Sequence, residues 1–437
     1  MRRSVLAYST LAVFLAACGG QSPGSLDAPA SRTEGVADAA CRAGGALRVM
    51  TQNLYLGADI TKLVEAPADE VVAVATQLWS TVKRTQFPAR AQVIADEVLV
   101  NQPDVIGLQE VTTWRIGDPV VCQTANPNDT SATRVVYDYL DILLYALRER
   151  GLHYDVAAQT TTVDAELCIG NPADLNSMRD LRYTDRDVLL VRHGVPWRSA
   201  TVPFSVPGFV VAPIAPGPGD QNGGVYALAL DDASQFPATA CFSLFPNSAP
   251  STALCDWRGW TAIEVKRGNQ WVRVLETHLE DWLTTQDGVP PWIIQALEAI
   301  QLVALIDGAY QQVPLPTLVI GDFNAYVTLT DKPPVYEYLM GDSSDMLAAL
   351  EALVGPLGTL PPSWLSDAWT ALYPDDPGFT WGFDELLYTG SLTTRLDLML
   401  AWEPRPLFLK RIGMWERTST GQHPSDHAGL VGVFASP

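Results

Sequence analysis

Short apolar runs recur along the chain, and most of them are followed directly by polar side chains. Apolar runs bounded by turn-forming residues are typical of buried strands. The Pro- and Gly-rich residues 201–258 predict loops with short strands. The predicted buried strands cover residues 47–50, 104–108, 188–191, 262–265, 271–275, 315–320, 396–401 and 430–434.

Apolar residues spaced three and four positions apart predict helices elsewhere. One helix begins at Pro88 and ends before residues 101–103, and two more cover residues 137–150 and 293–306. Residues 331–380 predict a long irregular insertion with short helices. Because strands and helices recur without strict alternation, the pattern favours a layered α/β or α+β fold over a barrel of βα repeats.

The first residues have the pattern of an export signal. Arg2 and Arg3 precede an apolar run over residues 5–15, which is too short to span a bilayer. The run ends in Leu15-Ala16-Ala17-Cys18, which resembles the lipobox of bacterial lipoproteins and predicts lipidation of Cys18. An ordinary secretory signal with a cysteine nearby by chance is the alternative.

The domain organisation follows from this signal. We expect a signal peptide over residues 1–17, a flexible tether rich in Gly, Ala, Ser and Pro over residues 18–45, and one folded domain over residues 46–437. The protein is then exported and anchored by lipid to the cell envelope, in the outer membrane or at the cell surface. No later stretch is expected to cross a bilayer, and we expect a monomer.

Charge restricts the partners of the chain. The 437 residues carry a formal net charge of −21, and removal of the signal peptide with its two arginines makes this about −23. Such acidity opposes non-specific binding to polyphosphate surfaces. It does not exclude a phosphate ester as substrate, because a bound cation inverts the local field.

The cysteines predict disulfides, because export leads to an oxidising compartment. Cys241 with Cys255 is the first expected pair and Cys122 with Cys168 the second, which leaves Cys41 over. No Cys-x-x-Cys occurs in the sequence, so a zinc–thiolate site is not expected.

Polar side chains capable of metal binding or proton transfer lie at or just past the ends of these strands. Loops at strand ends are the usual place for a binding or catalytic site. Each residue alone has an ordinary interpretation as a turn former, a surface charge or a packed histidine, but a whole set in one domain favours convergence on one site. The set consists of Asn53, Glu110, His278, Asp322 with Asn324, Asp397, and Asp426 with His427.

In this order the fragments resemble the endonuclease/exonuclease/phosphatase superfamily, which includes deoxyribonuclease I, apurinic endonucleases, neutral sphingomyelinases and inositol-polyphosphate 5-phosphatases. The most specific fragments are Gly321-Asp322-Phe323-Asn324 and the late Ser425-Asp426-His427. The resemblance covers roughly residues 46–436. It implies a four-layer sandwich of two mixed β-sheets flanked by helices, with the active site in a cleft at one end.

The resemblance also implies a divalent metal site. Glu110, with Asn53 beside it and Asp426 as a further contributor, is expected to hold Mg²⁺ or Mn²⁺. Magnesium takes few protein carboxylates and keeps several waters, so one firm glutamate with neighbours is sufficient.

The remaining residues receive roles in hydrolysis by the same resemblance. Asp322 orients or deprotonates the attacking water, and Asn324 holds the scissile phosphate. His427, oriented by Asp426, stabilises the transition state or transfers a proton. His278 is its counterpart on the leaving-group side and also contacts phosphate, and Asp397 positions an imidazole. Arg186 is a further candidate for phosphate binding, although interleaved aspartates also make it a candidate for an ordinary ion pair.

The histidine at position 278 separates this chain from the apurinic endonucleases, and the lack of a Lys/Arg run near these residues disfavours a phosphoinositide substrate. Two enzymatic hypotheses remain. One is a phospholipid phosphodiesterase of sphingomyelinase type, compatible with the lipid anchor, the acidity, Trp282 and the segment Trp257-Arg258-Gly259-Trp260, although core packing also explains such tryptophans. The other is an extracellular nuclease of deoxyribonuclease I type. A third hypothesis, of another class, is a surface binding protein that lost catalysis.

Overall fold

A computed structural model of the protein describes most of the predicted folded domain. The described residues are 45–119, 130–200, 202, 209–211, 219–226, 228–230, 240–242, 254–281, 291–328, 330–354 and 359–435. The predicted signal peptide, Cys18, Cys41, Cys122 and Trp282 lie outside them, and so does all of the predicted tether except Gly45.

Strands make up most of the described fold. In chain order they are β1 (Ala46–Asn53), β2 (Val105–Gln109), β3 (Thr113–Pro119), β4 (Arg134–Asp138), β5 (Tyr154–Ile169), β6 (Arg179–Arg192), β7 (Trp197–Ser199), β8 (Phe209–Val211), β9 (Gly223–Val225), β10 (Leu228–Leu230), β11 (Ala240–Phe242), β12 (Leu254–Asp256), β13 (Gly259–Arg267), β14 (Gln270–His278), β15 (Thr317–Val327), β16 (Ser366–Asp367), β17 (Trp381–Phe383), β18 (Gly390–Trp402), β19 (Arg405–Ile412) and β20 (Gly429–Ala435).

Helices connect these strands and cover the outside of the fold. A 3₁₀ turn lies at Leu175–Ser177. The α-helices are α1 (Thr61–Val64), α2 (Val71–Arg84), α3 (Phe87–Asn101), α4 (Tyr139–Glu149), α5 (Pro291–Gln312), α6 (Pro334–Leu339), α7 (Ser344–Val354) and α8 (Ala368–Leu372).

Two large mixed sheets form the centre of the protein. The first sheet has the order β19-β20-β1-β2-β6-β3-β4, with β5 also paired to β6. The second has the order β16-β18-β15-β14-β13-β7, with β17 on β18 and β9 on β13. Each sheet contains one parallel pair, β1 with β2 and β14 with β15, and is otherwise antiparallel among the described strands.

Alternation along the strands explains how the sheets pack. Val49 of β1 and Ile320 of β15 belong to the apolar core between the two sheets, whereas their neighbours Met50 and Val319 belong to the cores under the helices. Successive side chains of a strand point to opposite faces, so both sheets bury both faces. The result is a helix–sheet–sheet–helix sandwich, and the predicted four-layer fold is confirmed.

Helix α5 changes one expectation from the sequence. Trp292–Gln312 is long and apolar enough to cross a membrane by length and composition, with a mean hydropathy of 1.4, so the expectation of no such stretch was wrong. In the structure 83% of the apolar window is buried inside the protein. The helix packs against the outer face of the second sheet, which accounts for its apolar surface on all sides.

The cysteines agree with the predicted pairs as far as the structure describes them. Cys241 on β11 lies directly opposite Cys255 on β12 in the register of that small antiparallel pair. Cys168 is disulfide-bonded. Its predicted partner, Cys122, is outside the described residues, so that pairing stays a prediction.

A buried glutamate links the two sheets. Gln109 of the first sheet donates from Nε2 to Oε1 of Glu276 at 2.9 Å, and Thr261 donates to Oε2 of Glu276 at 2.7 Å. Glu276 is fully buried, and this burial raises its pKa to about 8. The carboxyl group therefore keeps a proton in the folded protein that the unfolded chain releases at lower pH.

This linkage predicts a pH dependence of stability. The free energy of unfolding should fall as the pH rises from about 5 to about 8, by at most about 1.4 kcal/mol per pH unit from Glu276, because only the folded state holds the proton. Glu276→Gln keeps the hydrogen-bonding shape and removes the titrating group, so this part of the slope should vanish. Denaturant unfolding of both proteins across that pH range measures the effect, and equal slopes would contradict the prediction.

Candidate active site

The inner faces of the two sheets become polar at one end of the sandwich. Asn53 continues the inward-facing positions of β1, and Asp322 continues those of β15 after Leu318 and Ile320. The same alternation points Asp397 of β18 into the space between the sheets. The apolar core therefore ends in a buried polar cluster, which the strand pattern alone brings together.

The register of the second sheet sets the first row of this cluster. His278 pairs with Asp322 across the parallel strands β14 and β15, and Asp322 pairs with Asp397 across the antiparallel strands β15 and β18. Residues opposite each other in a ladder carry their side chains on one face. Three residues from distant parts of the sequence thus form one line across the sheet.

Gly321 permits this close pairing. Its φ of 149° lies in the region that favours glycine, and a Cβ there would lie 1.9 Å from the carbonyl oxygen of Thr277. The strand predicted from the sequence ends at Ile320, before this glycine. In the structure β15 continues to Val327, with an irregularity in register after Asp322. Asn324, with a φ of 44°, sits within that irregularity.

The residues around Asn324 fix the shape of the turn. Its backbone N–H donates to Oδ1 of Asp322 at 2.9 Å, and its side-chain Nδ2 donates to the carbonyl of Leu279 at 2.9 Å. Gln295 of α5 donates to the carbonyl of Asn324 at 2.8 Å. The amide of Asn324 is thereby held beside the site, where the sequence analysis expected a phosphate contact.

The first sheet brings Glu110 to the same place. Asn53 donates from Nδ2 to Oε1 of Glu110 and to Oδ2 of Asp322, each at 3.0 Å. The backbone N–H of Leu56 donates to Oε2 of Glu110 at 2.6 Å. Asn53 accepts from Tyr55 N–H through its own oxygen and acts as a donor between two carboxylates, and its expected contact with a metal stays a prediction.

Asp397, which was expected to position an imidazole, pairs with His427. Its Nδ1 lies 2.8 Å from Oδ2 of Asp397, and its Nε2 lies 3.7 Å from Oδ2 of Asp322. The expectation that Asp426 orients this ring is corrected, because adjacent residues in an extended segment point apart and Asp397 reaches Nδ1 across the sheet. Asp426 instead contributes negative charge next to Glu110.

His278 has a different environment. Arg258 approaches the ring with Nη1 3.1 Å from Nε2, and Oδ1 of Asp187 lies 3.7 Å from Nδ1. Nη1 of Arg258 also lies 3.4 Å from Nδ1, and because a guanidinium only donates, the ring nitrogen that it contacts acts as an acceptor and the ring is neutral. Neither Arg258 nor Asp187 was assigned to the site from the sequence. The signal that could have identified Arg258 is its position directly before β13, whose first residue, Gly259, pairs with His278.

The two histidines are driven to opposite protonation states. Burial, the Arg258 guanidinium and the nearby His427 lower the pKa of His278 well below its usual value. Burial also opposes charge on His427, but Asp397, Asp426 and Asp322 together raise its pKa well above the usual value. Burial and the neighbouring Asp397 raise the pKa of Asp322 to about 6. Separated pKa values of this kind mark acid and base partners.

A buried arginine holds two of the site segments in place. Arg90 is fully buried, and its guanidinium donates to the carbonyls of Tyr55 and Pro424 at 2.9 Å each. Ser425 donates from Oγ to the carbonyl of Asn53 at 2.8 Å. These contacts join the end of β1 to the Ser-Asp-His segment, and the sequence analysis gave neither Arg90 nor Ser425 a role.

The residues present fit a divalent cation beside Glu110. Burial, with the nearby charges of Asp426 and Asp185, raises the pKa of Glu110 to about 8. A bound cation would offset the electrostatic repulsion among these buried carboxylates. Carboxylate oxygens are also the donors that Mg²⁺ prefers. Asp322, Asp397 and His427 also place ligand atoms within 4.8 Å of one another. The negative charge of Asp426 next to Glu110 makes these two carboxylates the residues that could hold a cation on the first-sheet side of the site.

Arg186 does not belong to the site. Its Nη2 lies 2.9 Å from Oδ1 of Asp138, and its Nε donates to the carbonyl of Val111 at 3.0 Å. Its side chain is 12% exposed. The expectation of a phosphate contact is corrected, because Arg186 fixes the segment after Glu110 to the start of α4, and the alternative of an ordinary ion pair is the one observed.

A protein-family model matches most of the chain. Residues 50–427 match the model of the Endonuclease/Exonuclease/phosphatase family. No curated protein matches the chain.

Solved structures show a distant likeness. A D. rerio TDP2 complexed with single strand DNA product is 14% identical and has a TM-score of 0.40, over 90% of this chain and 99% of that one. The human Nocturnin catalytic domain with bound sulfate anion is 17% identical and has a TM-score of 0.41, over 90% and 94%. An endonuclease/exonuclease/phosphatase family protein from Leptotrichia buccalis is 13% identical and has a TM-score of 0.42, over 89% and 99%.

The match of the family model over most of the chain is decisive, and the convergence of Glu110, His278, Asp322, Asp397 and His427 in one buried cluster agrees with it. The chain belongs to the Endonuclease/Exonuclease/phosphatase family.

Proposed function

We propose that this protein is a divalent-metal-dependent phosphodiesterase. Members of its family are typically hydrolases of phosphoester bonds that use divalent metals. The observation that carries the proposal is the pair of imidazoles with opposed protonation on the two sides of Asp322. An intact acid, base and cation set disfavours the hypothesis of a binding protein that has lost catalysis.

The geometry supports a separate role in hydrolysis for each of these side chains. Arg258 and the protonated His427 supply positive charge on either side of Asp322, where the charge of a pentavalent phosphorus centre develops. Asp322, with a pKa raised to about 6 by burial, is the candidate base for the attacking water. Asn324 holds the phosphate through its amide.

The two histidines serve different sides of the displacement. Asp397 keeps His427 oriented and charged, so His427 stabilises the transition state or delivers a proton. His278 stays neutral beside Arg258 and accepts or relays a proton at a ring nitrogen. A cation held by Glu110 and Asp426, which we propose to be Mg²⁺ or Mn²⁺, neutralises phosphate charge when bound.

We further propose that the substrate is a phospholipid-type diester and that the enzyme works outside the cell as a lipid-anchored monomer. The export and lipidation signal at Cys18 supports the location. Trp257, directly before Arg258, keeps part of its surface exposed and favours an apolar substrate, whereas Trp260 packs against the core under α5. Arg186, the arginine named as a candidate for phosphate binding, is committed to Asp138.

Hydrolysis of an activated aryl phosphodiester tests the reaction. The purified protein should be active with Mg²⁺ or Mn²⁺, inactive with EDTA, and active again after the metal is restored, because the cation neutralises the substrate. His427→Ala, Asp322→Ala and His278→Ala should each lower kcat/KM by roughly 10²–10⁴-fold while thermal unfolding shows a folded protein.

A matched control is His193→Ala, because this histidine has a side chain 74% exposed and lies at the other end of the strands. It should leave kcat/KM unchanged. Full activity of His427→Ala would refute the mechanism. If the protein hydrolyses no phosphate ester, the hypothesis of a surface binding protein would replace the proposal.

A panel of natural substrates tests the substrate class. Sphingomyelin, glycerophospholipids, plasmid DNA, RNA and inositol phosphates are compared at equal metal concentration by release of the soluble product. We expect the highest kcat/KM on a phospholipid, because Trp257 keeps apolar surface exposed next to Arg258 and Arg186 is committed to Asp138. Preference for DNA or RNA would replace the phospholipid proposal with a nuclease while keeping the same chemistry.

A further inference from the structure

The chain enters the fold at the end opposite the active site. β1 begins at Ala46, directly after the predicted tether, and finishes at Asn53 in the site. The hairpin of β13 and β14 shows the same polarity, because Gly259 pairs with His278 at the site while Arg267 pairs with Gln270 at the far turn. Strands of this length separate the two ends by about 26 Å.

Basic and aromatic side chains collect at this far end. Trp271 pairs with Lys266 across the hairpin, and Arg198 of β7 places its Cζ 4.3 Å from the centre of the Trp271 ring with 51% of its side chain exposed. Arg192 and Arg267 meet at Asp104 and join the first sheet to this end of the second. We define the tether-end surface as Arg192, Trp197, Arg198, Lys266, Arg267 and Trp271.

The carboxylates that contact this surface are too few to neutralise it. Asp104, which is buried, forms ion pairs with both Arg192 and Arg267. Glu264, also buried, does the same with Arg198 and Arg273. Each of these carboxylates is shared between two guanidinium groups. With the exposed Asp155, which lies beside Arg192 in the ladder of β5 and β6, three carboxylates face five Lys and Arg side chains among the described residues, so this end is locally positive within a chain of net charge −21.

We propose that the tether-end surface docks on an anionic lipid bilayer. Tryptophan rings and the long stems of lysine and arginine suit the boundary between lipid headgroups and acyl chains, and basic residues near an anionic bilayer are attracted to it. Charges more than about 10 Å away are screened at physiological salt, so the local charge decides docking rather than the negative total. The site, about 26 Å distant, does not take part.

Docking in this way gives the enzyme an orientation. The chain reaches the fold from the docked end, so the predicted lipid anchor and the tether-end surface contact one membrane while the catalytic end faces the medium. This consequence rests on the proposed function. It implies that a phospholipid substrate is presented from a second membrane or micelle rather than from the leaflet that holds the anchor.

Vesicle flotation tests the docking without any catalysis. The full chain carrying Cys18→Ser, in EDTA, is mixed with vesicles of phosphatidylcholine alone or with on the order of 30% phosphatidylglycerol. We expect binding only to the anionic vesicles, reversed by salt. The double variant Arg198→Gln/Lys266→Gln should partition roughly 30-fold more weakly, from about fivefold per lost charge.

The control is Arg84→Gln/Lys332→Gln, which removes the same charge at exposed positions away from the surface and should bind as the parent does. Lys266→Gln alone keeps the test valid if the double variant unfolds. Equal partition of both double variants, binding independent of anionic lipid, or tighter binding to duplex DNA than to vesicles would each overturn the proposal. Hydrolysis of a soluble diester by the same variants should be unchanged, so a failure of docking is distinguishable from a failure of the proposed function.

Discussion

The register of β15 between β14 and β18 is the constraint on which the active site depends. It places His278, Asp322 and Asp397 in one row, and only a glycine at position 321 allows the backbones to approach closely enough. A shift of one residue would turn Asp322 toward the helices and bring Phe323 between the sheets. The apolar core between the sheets therefore fixes catalytic geometry as well as stability.

The charges around the two histidines set their protonation states. The site is buried, so each charge raises or lowers the pKa of its neighbours. The pKa of His427 is raised in this way, and the pKa of His278 is lowered. Three carboxylates keep His427 charged, whereas Arg258 and burial keep His278 neutral. The excess of negative charge near Glu110 is the physical reason to expect a cation there.

The sequence predicted the strands that end at the site because their apolar runs are short and end in polar residues, as with Asp322 after residues 315–320. It did not reveal helix α2, nor the long hairpin of β5 and β6, whose mixed polarity hides the alternation. The resemblance gave Asp397 an imidazole to position without saying which one, and it assigned the orientation of His427 to Asp426. The structure pairs Asp397 with His427 and places Arg258, not Arg186, at the site. Such pairings depend on register and on ion pairs between residues far apart in the chain.

The opposed protonation of the two imidazoles is the central claim, and nitrogen NMR of the histidine rings measures it most directly. The chain has 5 histidines, so His278→Gln and His427→Gln suffice to assign both signals. In the metal-free protein near neutral pH, His427 should carry protons on both ring nitrogens and His278 on one ring nitrogen only. Both rings titrating together near their usual pKa of about 6.5, or the reverse assignment, would contradict the account.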